Sequence, residues 1–210
     1  MDFFDVLSAR YSVRKFKDEQ IKDEDLQKII SAAGCAPSAK NAQNWHFVVI
    51  QDADLLERMG QAVDAKMARI AEGLGEEKGA KFLKFSRFST FFRSAPTVIA
   101  VFANEYIPEG LKEVIEADMP QIDRDRMWYA NPGIQNIGAG VENMILATFA
   151  LGYGACWMTS ANHSLLELEE VIPFRRDRHR LVALVPMGVP EGDRKSPAKL
   201  PVEEIMTIIK

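Results

Sequence analysis

The chain reads as one domain of mixed helices and strands, and three observations support that reading. Apolar runs rich in β-branched residues at 45–50, 97–103 and 180–187 have the composition of buried strands, and amphipathic helical patterns separate them. The Gly-rich turn of a βαβ dinucleotide site is missing. The nearest strings, Gly138-Ala139-Gly140 and Gly152-Tyr153-Gly154, lack a third glycine and do not directly follow strands. No repeat or low-complexity stretch divides the 210 residues, a length that buries a core without disulfides or metal.

Residues 3–9 predict a short helix packing Phe3, Phe4, Val6 and Leu7. It leads into Arg10-Tyr11-Ser12-Val13-Arg14-Lys15-Phe16. In an extended segment the period of two places Arg10, Ser12 and Arg14 on one face. Guanidinium forks with a hydroxyl between them match phosphate oxygens, although a solvated basic strand has the same composition. Asp23 reads as the N-cap of a helix whose apolar positions are Leu26, Ile29, Ile30 and Ala33, ending at Gly34.

The stretch from Cys35 to Ile50 is the one the rest of the chain serves. Ser38, Asn41, Gln43 and Asn44 follow Pro37 and precede the strand 45–50. Short neutral amides and hydroxyls between a helix and a strand form either an ordinary turn or a recognition loop. They suit a planar, amide-rich ligand better than a metal. His46, His163 and His179 have no metal-ligand spacing, and there is no P-loop and no Gly-x-Ser-x-Gly nucleophile motif.

A longer helix carries Leu55, Met59, Ala62, Val63, Met67 and Ile70 and runs out near Gly73, Gly75 and Gly79. Phe82, Phe85, Phe88, Phe91 and Phe92 then recur among Lys81, Lys84, Arg87 and Arg93; this stripe reads as core, with a ligand-covering lid or a subunit contact as the alternatives. Thr97–Ala103 is a strand, and 104–130 reads as a mobile excursion with a short helix at 111–117. Gly133–Leu151 is apolar nearly all round, as in a helix buried in a core or between subunits. Within it Glu142 reads as a structural acid. A strand at 155–159, a helix capped by Ser164, the strand 180–187 and a closing helix with Pro201 at its first position complete the chain.

A formal charge of −4 provides no overall basic field for nucleic acid, and no apolar run or leader pattern suits a membrane. Cys35 and Cys156 read as buried free thiols, implying a reducing, cytoplasmic setting.

Taken together, Arg10-x-Ser12-x-Arg14, Ala36-Pro37-Ser38-x-x-Asn41-x-Gln43-x-Trp45, Gly154-Ala-Cys156-Trp157 and Gly188 followed by a basic tail form a pattern that resembles the nitroreductase family of FMN-dependent NAD(P)H oxidoreductases. The resemblance covers nearly the whole chain. It implies an α+β fold, a central and mostly antiparallel mixed sheet flanked by helices, in an intertwined homodimer with FMN in two interface clefts.

Carried over, Arg10, Ser12 and Arg14 hold the phosphate and ribityl chain. Pro37, Ser38 and Asn41 approach from the other subunit with Gln43 close by, and Thr159 and Ser160 offer backbone N–H to the flavin edge. Lys199 in the tail 189–210 adds a phosphate contact, with Arg194 and Lys195 as substitutes, and a cation from Lys81–Arg93 serves flavin N1. The family often has proline where Asn44 stands, a change expected to be tolerated in a loop. The implied reaction is hydride transfer from NADPH or NADH to FMN and on to a nitroaromatic or quinone-like acceptor in a ping-pong cycle. The alternatives are a specialised flavoenzyme of the same fold (reductive dehalogenase, heterocycle dehydrogenase or flavin-fragmenting enzyme) and a non-catalytic flavin-binding protein.

Overall fold

A computed structural model describes residues 2–192 and 196–210. Its centre is one four-stranded sheet of β1 (Trp45–Ile50), β2 (Thr97–Asn104), β3 (Gly154–Ala155) and β4 (His179–Gly188), in the order β1-β2-β4-β3, with every named pair antiparallel. β1 and β2 run from Trp45 opposite Ala103 to Ile50 opposite Val98. Between β2 and β4 the register shifts at Val101/Phe102, leaving Val182 as an extra residue on β4. Ser12 adds a parallel bridge to Ala155 outside β3, so the sheet is mixed, as the α+β expectation has it.

Seven of the eight residues of β2 are buried, which is why TVIAVFA shows no polar alternation. One face of the sheet packs under α3 (Ala53–Leu74) and α9 (Leu165–Val171), with Leu56, Met59, Val63, Met67 and Leu168 against Val98, Ala100 and Leu184. The other face packs under α2 (Asp23–Gly34) and α8 (Pro132–Ala150), with Ile29, Ala33, Val141 and Met144 against Ile99, Val101 and Val185. These two layers meet the sheet from opposite sides and fix the ends of its strands.

Helix ends follow local chemistry. Asp52 accepts the Leu55 N–H at 3.1 Å and starts α3, which stops at Gly75, where φ is 76°; α4 (Glu76–Leu83) restarts at once. α1 (Phe3–Ala9) is started by a capping box between Asp2 and Asp5. Lys22, not Asp23, occupies the cap position of α2, and Asp23, Glu24 and Asp25 fill its first turn, where acids complement the helix dipole.

Several expectations change. The excursion 104–130 carries α6 (Leu111–Glu116) and α7 (Gln121–Ala130). α7 has no buried residue and thus no apolar period to detect. The strand foreseen at 155–159 is two residues long, because the chain leaves the edge after Ala155 and touches β4 again only at Met158–Leu184. Pro201 precedes rather than opens α10 (Val202–Ile205); Ser164 holds the N-cap position of α9 as foreseen, but its hydroxyl meets His163 Nδ1 instead of making a capping bond. Cys35, one residue past α2, is exposed; Cys156 is buried.

Of the Phe stripe, only Phe92 is fully buried, Phe82 and Phe91 lean on the core, and Phe85 and Phe88 are exposed, Phe85 just before α5 (Ser86–Thr90) and Phe88 within it. On α1, Phe3, Phe4 and Leu7 face outward and Val6 alone is buried. Leu200, Val202, Ile205, Met206, Ile208 and Ile209 are exposed along the tail. The accessible surface is 13086 Å², against about 9,800 Å² for a compact monomer of the same mass.

Candidate functional site

The arginine strip lies along the β3 edge. Ser12 bridges Ala155, and the Val13 N–H donates to the Ala155 carbonyl at 3.0 Å. A Cβ on Gly154 would stand 2.4 Å from Val13 Cγ2, so this approach needs a glycine. Beyond it, Lys17 N–H reaches the Val189 carbonyl at 2.9 Å and Glu191 N–H reaches the Lys15 carbonyl at 3.0 Å, which clamps the strip to the end of β4.

Burial pushes the Cys156 thiol up, while Arg14, a hydrogen bond with Ser12, and Arg10 pull it down. Among the described residues neither guanidinium is paired with a carboxylate, so both are available to an anion.

The same edge continues into the loop at 157–161. Trp157 packs at Gly138 of α8, where a Cβ would meet its ring at 3.4 Å, and Met158 N–H bonds the Leu184 carbonyl at 2.9 Å. Thr159 and Ser160 are exposed, and among the described residues their N–H groups find no protein acceptor. The Ser160 carbonyl accepts from Ser89 Oγ at 2.8 Å, and the Ser160 hydroxyl donates to the Phe88 carbonyl. Arg10, Ser12 and Arg14 thus lie beside β3, and Thr159 and Ser160 follow in the loop that leaves it.

The loop before β1 is organised by buried amides. Asn136 of α8 takes the Ala39 N–H on Oδ1 at 2.9 Å and donates from Nδ2 to Asn44 Oδ1 at 2.9 Å. Asn44 Nδ2 donates to the carbonyls of Asn104 at 3.1 Å and Gly133 at 3.3 Å. Asn44 is thus a buried junction between the loop, β2 and α8, not a freely tolerated loop residue. Ser38 Oγ accepts the Gln43 N–H at 3.0 Å, and Gln43 Nε2 donates to Asn41 Oδ1 at 3.1 Å. Lys40, Asn41 and Gln43 sit at φ of 54°, 54° and 42°, a run of left-handed non-glycine residues that only a well-held loop sustains. Pro37, Asn41 and Gln43 face solvent.

Within one chain the two halves flank different strands. The loop enters β1 and the arginine strip flanks β3, the two outer strands of the sheet, which lie three strand spacings, about 14 Å, apart. Lys199 is exposed on the tail, and Arg194 and Lys195 lie outside the described residues. Of the cations foreseen for flavin N1, Arg93 is held by Asp64 at 2.7 Å and Glu57 at 3.8 Å, and Lys81 by Glu77 at 3.6 Å. Lys84 and Arg87 remain, with Arg87 4.9 Å over the Phe88 ring. Glu142 is half-buried within α8. Among the described residues no group of three metal-ligating side chains gathers, and no helix is long and apolar enough to cross a membrane.

Sequence reasoning passed over Asn136 and Ser89. Asn136 was visible as a polar exception in an apolar helix; Ser89, in a polar pentapeptide, carried no signal.

Two arginines without carboxylate partners among the described residues, a serine and open backbone amides lie beside β3 and in the loop that leaves it, donors of the kind an anionic group takes. The chain belongs to the nitroreductase family, whose family model matches residues 7–189, and it is an oxidoreductase of that family. A BluB-like flavoprotein from Clostridium difficile 630 superposes with a TM-score of 0.93 at 42% identity, covering 100% of both chains. An Archaeoglobus fulgidus protein described as a putative NADH dehydrogenase/NAD(P)H nitroreductase is 30% identical over 73% of this chain, a match spanning 64% of the archaeal protein's length. The iodotyrosine deiodinase of Nematostella vectensis is 26% identical over 99% of this chain and 75% of its own. Solved nitroreductases that share the fold carry bound FMN, and FMN binding with NAD(P)H dependence is typical of the family.

Proposed function

We propose that two copies of this chain form a homodimer whose two FMN sites are each shared. Arg10, Ser12, Arg14, Thr159 and Ser160 come from one protomer and Pro37, Ser38, Asn41 and Gln43 from the other. The observation that carries this reading is the placement of two well-formed half-sites at opposite edges of one sheet. The exposed apolar faces of α1 and the tail, with accessible surface about a third above that of a compact monomer, support an extensive partner contact.

The donor set fits FMN. The two free guanidiniums and Ser12 suit its phosphate, and the open amides of Thr159 and Ser160 suit the polar edge of its ring. Bound FMN supplies hydride acceptance and donation at N5. The chain binds and orients the ring, keeps one face open for a nicotinamide, and stabilises negative charge with Lys84 or Arg87 from the α5 region. Lys199 adds charge from the tail. The whole chain acts as a single FMN-binding domain, 70–130 walls the open face, and 189–210 reaches the partner. The two free cysteines fit a reducing, cytoplasmic compartment.

NADPH or NADH is the electron donor. For the acceptor, likeness to iodotyrosine deiodinases over nearly the whole chain supports a specialised reaction, reductive dehalogenation of an aromatic ring, over general reduction of nitroaromatics or quinones. The carbon–halogen bond breaks, two electrons and one proton enter, and halide leaves. The likeness to the Archaeoglobus protein supports nitroaromatic or quinone reduction as the second reading.

The test is an anaerobic visible spectrum of FMN-loaded protein before and after NADPH or NADH, followed by a panel of iodotyrosine, a nitroaromatic and a quinone. Bleaching by a nicotinamide and reoxidation by iodotyrosine with stoichiometric iodide release supports the dehalogenase. Reoxidation only by the nitroaromatic or quinone supports the second reading. A flavin that only dithionite reduces would contradict both and indicate a binding protein.

A further inference from the structure

We infer that Ser89 is a positioning residue for the flavin-edge loop, fixing the direction in which Ser160 presents its backbone N–H; this rests on the FMN reading above. Ser89 sits in the five-residue α5 and is 4% exposed, yet its hydroxyl makes no contact within its own helix. Instead it donates to the Ser160 carbonyl at 2.8 Å, while the Ser160 hydroxyl returns a bond to the Phe88 carbonyl. Two reciprocal bonds between adjacent residues on one side and a single residue on the other fix both the position and the rotation of that residue, where one bond would leave a swivel.

Carbonyl and hydroxyl of Ser160 are both committed to α5. Its N–H is the one polar group left, and together with that of Thr159 it has no acceptor among the described residues. The loop has little else to hold it. Met158 is tied to β4 on one side, and Asn162 N–H turns back to the Thr159 carbonyl at 3.1 Å on the other. A buried hydroxyl spent on an exposed loop rather than on its own helix is a support whose purpose lies in the loop. The clasp also joins that loop to exposed Phe85 and Phe88, so an acceptor resting on these rings would bear on the same amide.

The experiment compares wild type, Ser89→Ala and Thr90→Val, each titrated with FMN. Thr90→Val is the control, because Thr90 Oγ1 bonds only Ser86 of its own helix, at 3.1 Å. Dissociation constant, visible band position and midpoint potential of the bound flavin are measured, together with the bleaching rate at saturating nicotinamide. Ser89→Ala is expected to keep FMN affinity within about threefold, displace the band and potential, and slow bleaching about tenfold, the equivalent of one lost positioning bond. Thr90→Val should follow wild type in all four.

Wild-type band, potential and rate in Ser89→Ala would overturn the inference while leaving the flavin reading intact. A wild-type protein that takes up no FMN overturns both. Should Ser89→Ala fail to fold, Ser160→Ala, which removes the returning bond from an exposed position, must shift band and potential the same way, and no shift there overturns the inference.

Discussion

The loop at 37–44 and the strip at 10–14 sit at opposite edges of one sheet and are held by different chemistry. The loop is fixed by buried side-chain amides, Asn44 and Asn136, that saturate one another and the neighbouring backbone. The strip is fixed through backbone, by the Ser12–Ala155 bridge and the Val13 bond, and among the described residues its guanidiniums have no carboxylate partner, Arg14 making only a long bond to the Ser12 carbonyl at 3.4 Å. A loop with strained backbone needs a rigid support, whereas an anion grip needs side chains that are free to close. The difference predicts that mutations in the loop's support damage folding first, and mutations in the strip damage binding first.

The sharpest break in that comparison is Asn136→Ala. It leaves the Asn44 side-chain Oδ1 and the Ala39 N–H without these partners, each costing about 1–3 kcal/mol. A loss of about 3 kcal/mol in denaturant unfolding is expected, with FMN affinity falling only as the loop loosens.

Arg14→Ala should behave in the opposite way. Loss of one charge-assisted contact is worth about 2 kcal/mol, or about thirtyfold weaker FMN binding by titration, with unfolding changed by no more than about 0.5 kcal/mol. Equal FMN affinity in that variant would defeat the phosphate assignment.

Gly154→Ala tests whether the strip depends on its close approach to β3. The added methyl meets Val13 at 2.4 Å and Pro190 at 3.0 Å, so about 1–2 kcal/mol of stability should be lost, and FMN affinity should fall in step because the strip is displaced.

The smallest effect is in pH. Burial, then Arg176 and His179, hold His46 below the ordinary imidazole range, and burial with Lys66 does the same for His163. The unfolded chain takes up these protons first, near pH 6.5, so stability present above that value declines as pH falls toward the folded-state range. His46→Gln should flatten part of the decline between pH 7 and pH 5, and an unchanged slope would remove His46 from the account.

Much of the fold was legible because its signals are periodic. The uninterrupted apolar run 97–103, the helix from Leu55 to Ile70 and the all-round apolar 133–151 each reported burial directly. α7 was not legible, because a helix exposed on every side has no apolar period. The outward turn of Phe3, Phe4 and Phe85 was also hidden, since exposed apolar residues read in sequence the same as core ones. Arg10, Ser12 and Arg14 could be placed on one face from a period of two, but their place beside β3 depends on the parallel bridge of Ser12 to Ala155, residues more than 140 positions apart. Asn44 read as a replaceable loop residue because its three partners come from β2 and α8, which no local pattern connects.

In the proposed dimer each flavin site takes its arginines from one protomer and its amide loop from the other. The most direct measurement is FMN stoichiometry in a heterodimer purified with two tags, one protomer carrying Arg14→Ala and the other Asn41→Ala. A shared site places both defects in one cleft and leaves the other intact, so the heterodimer should bind one FMN with wild-type affinity while either homodimer binds weakly. If each site lay within one chain, both clefts would carry a defect, and the absence of any wild-type-affinity FMN would contradict the account.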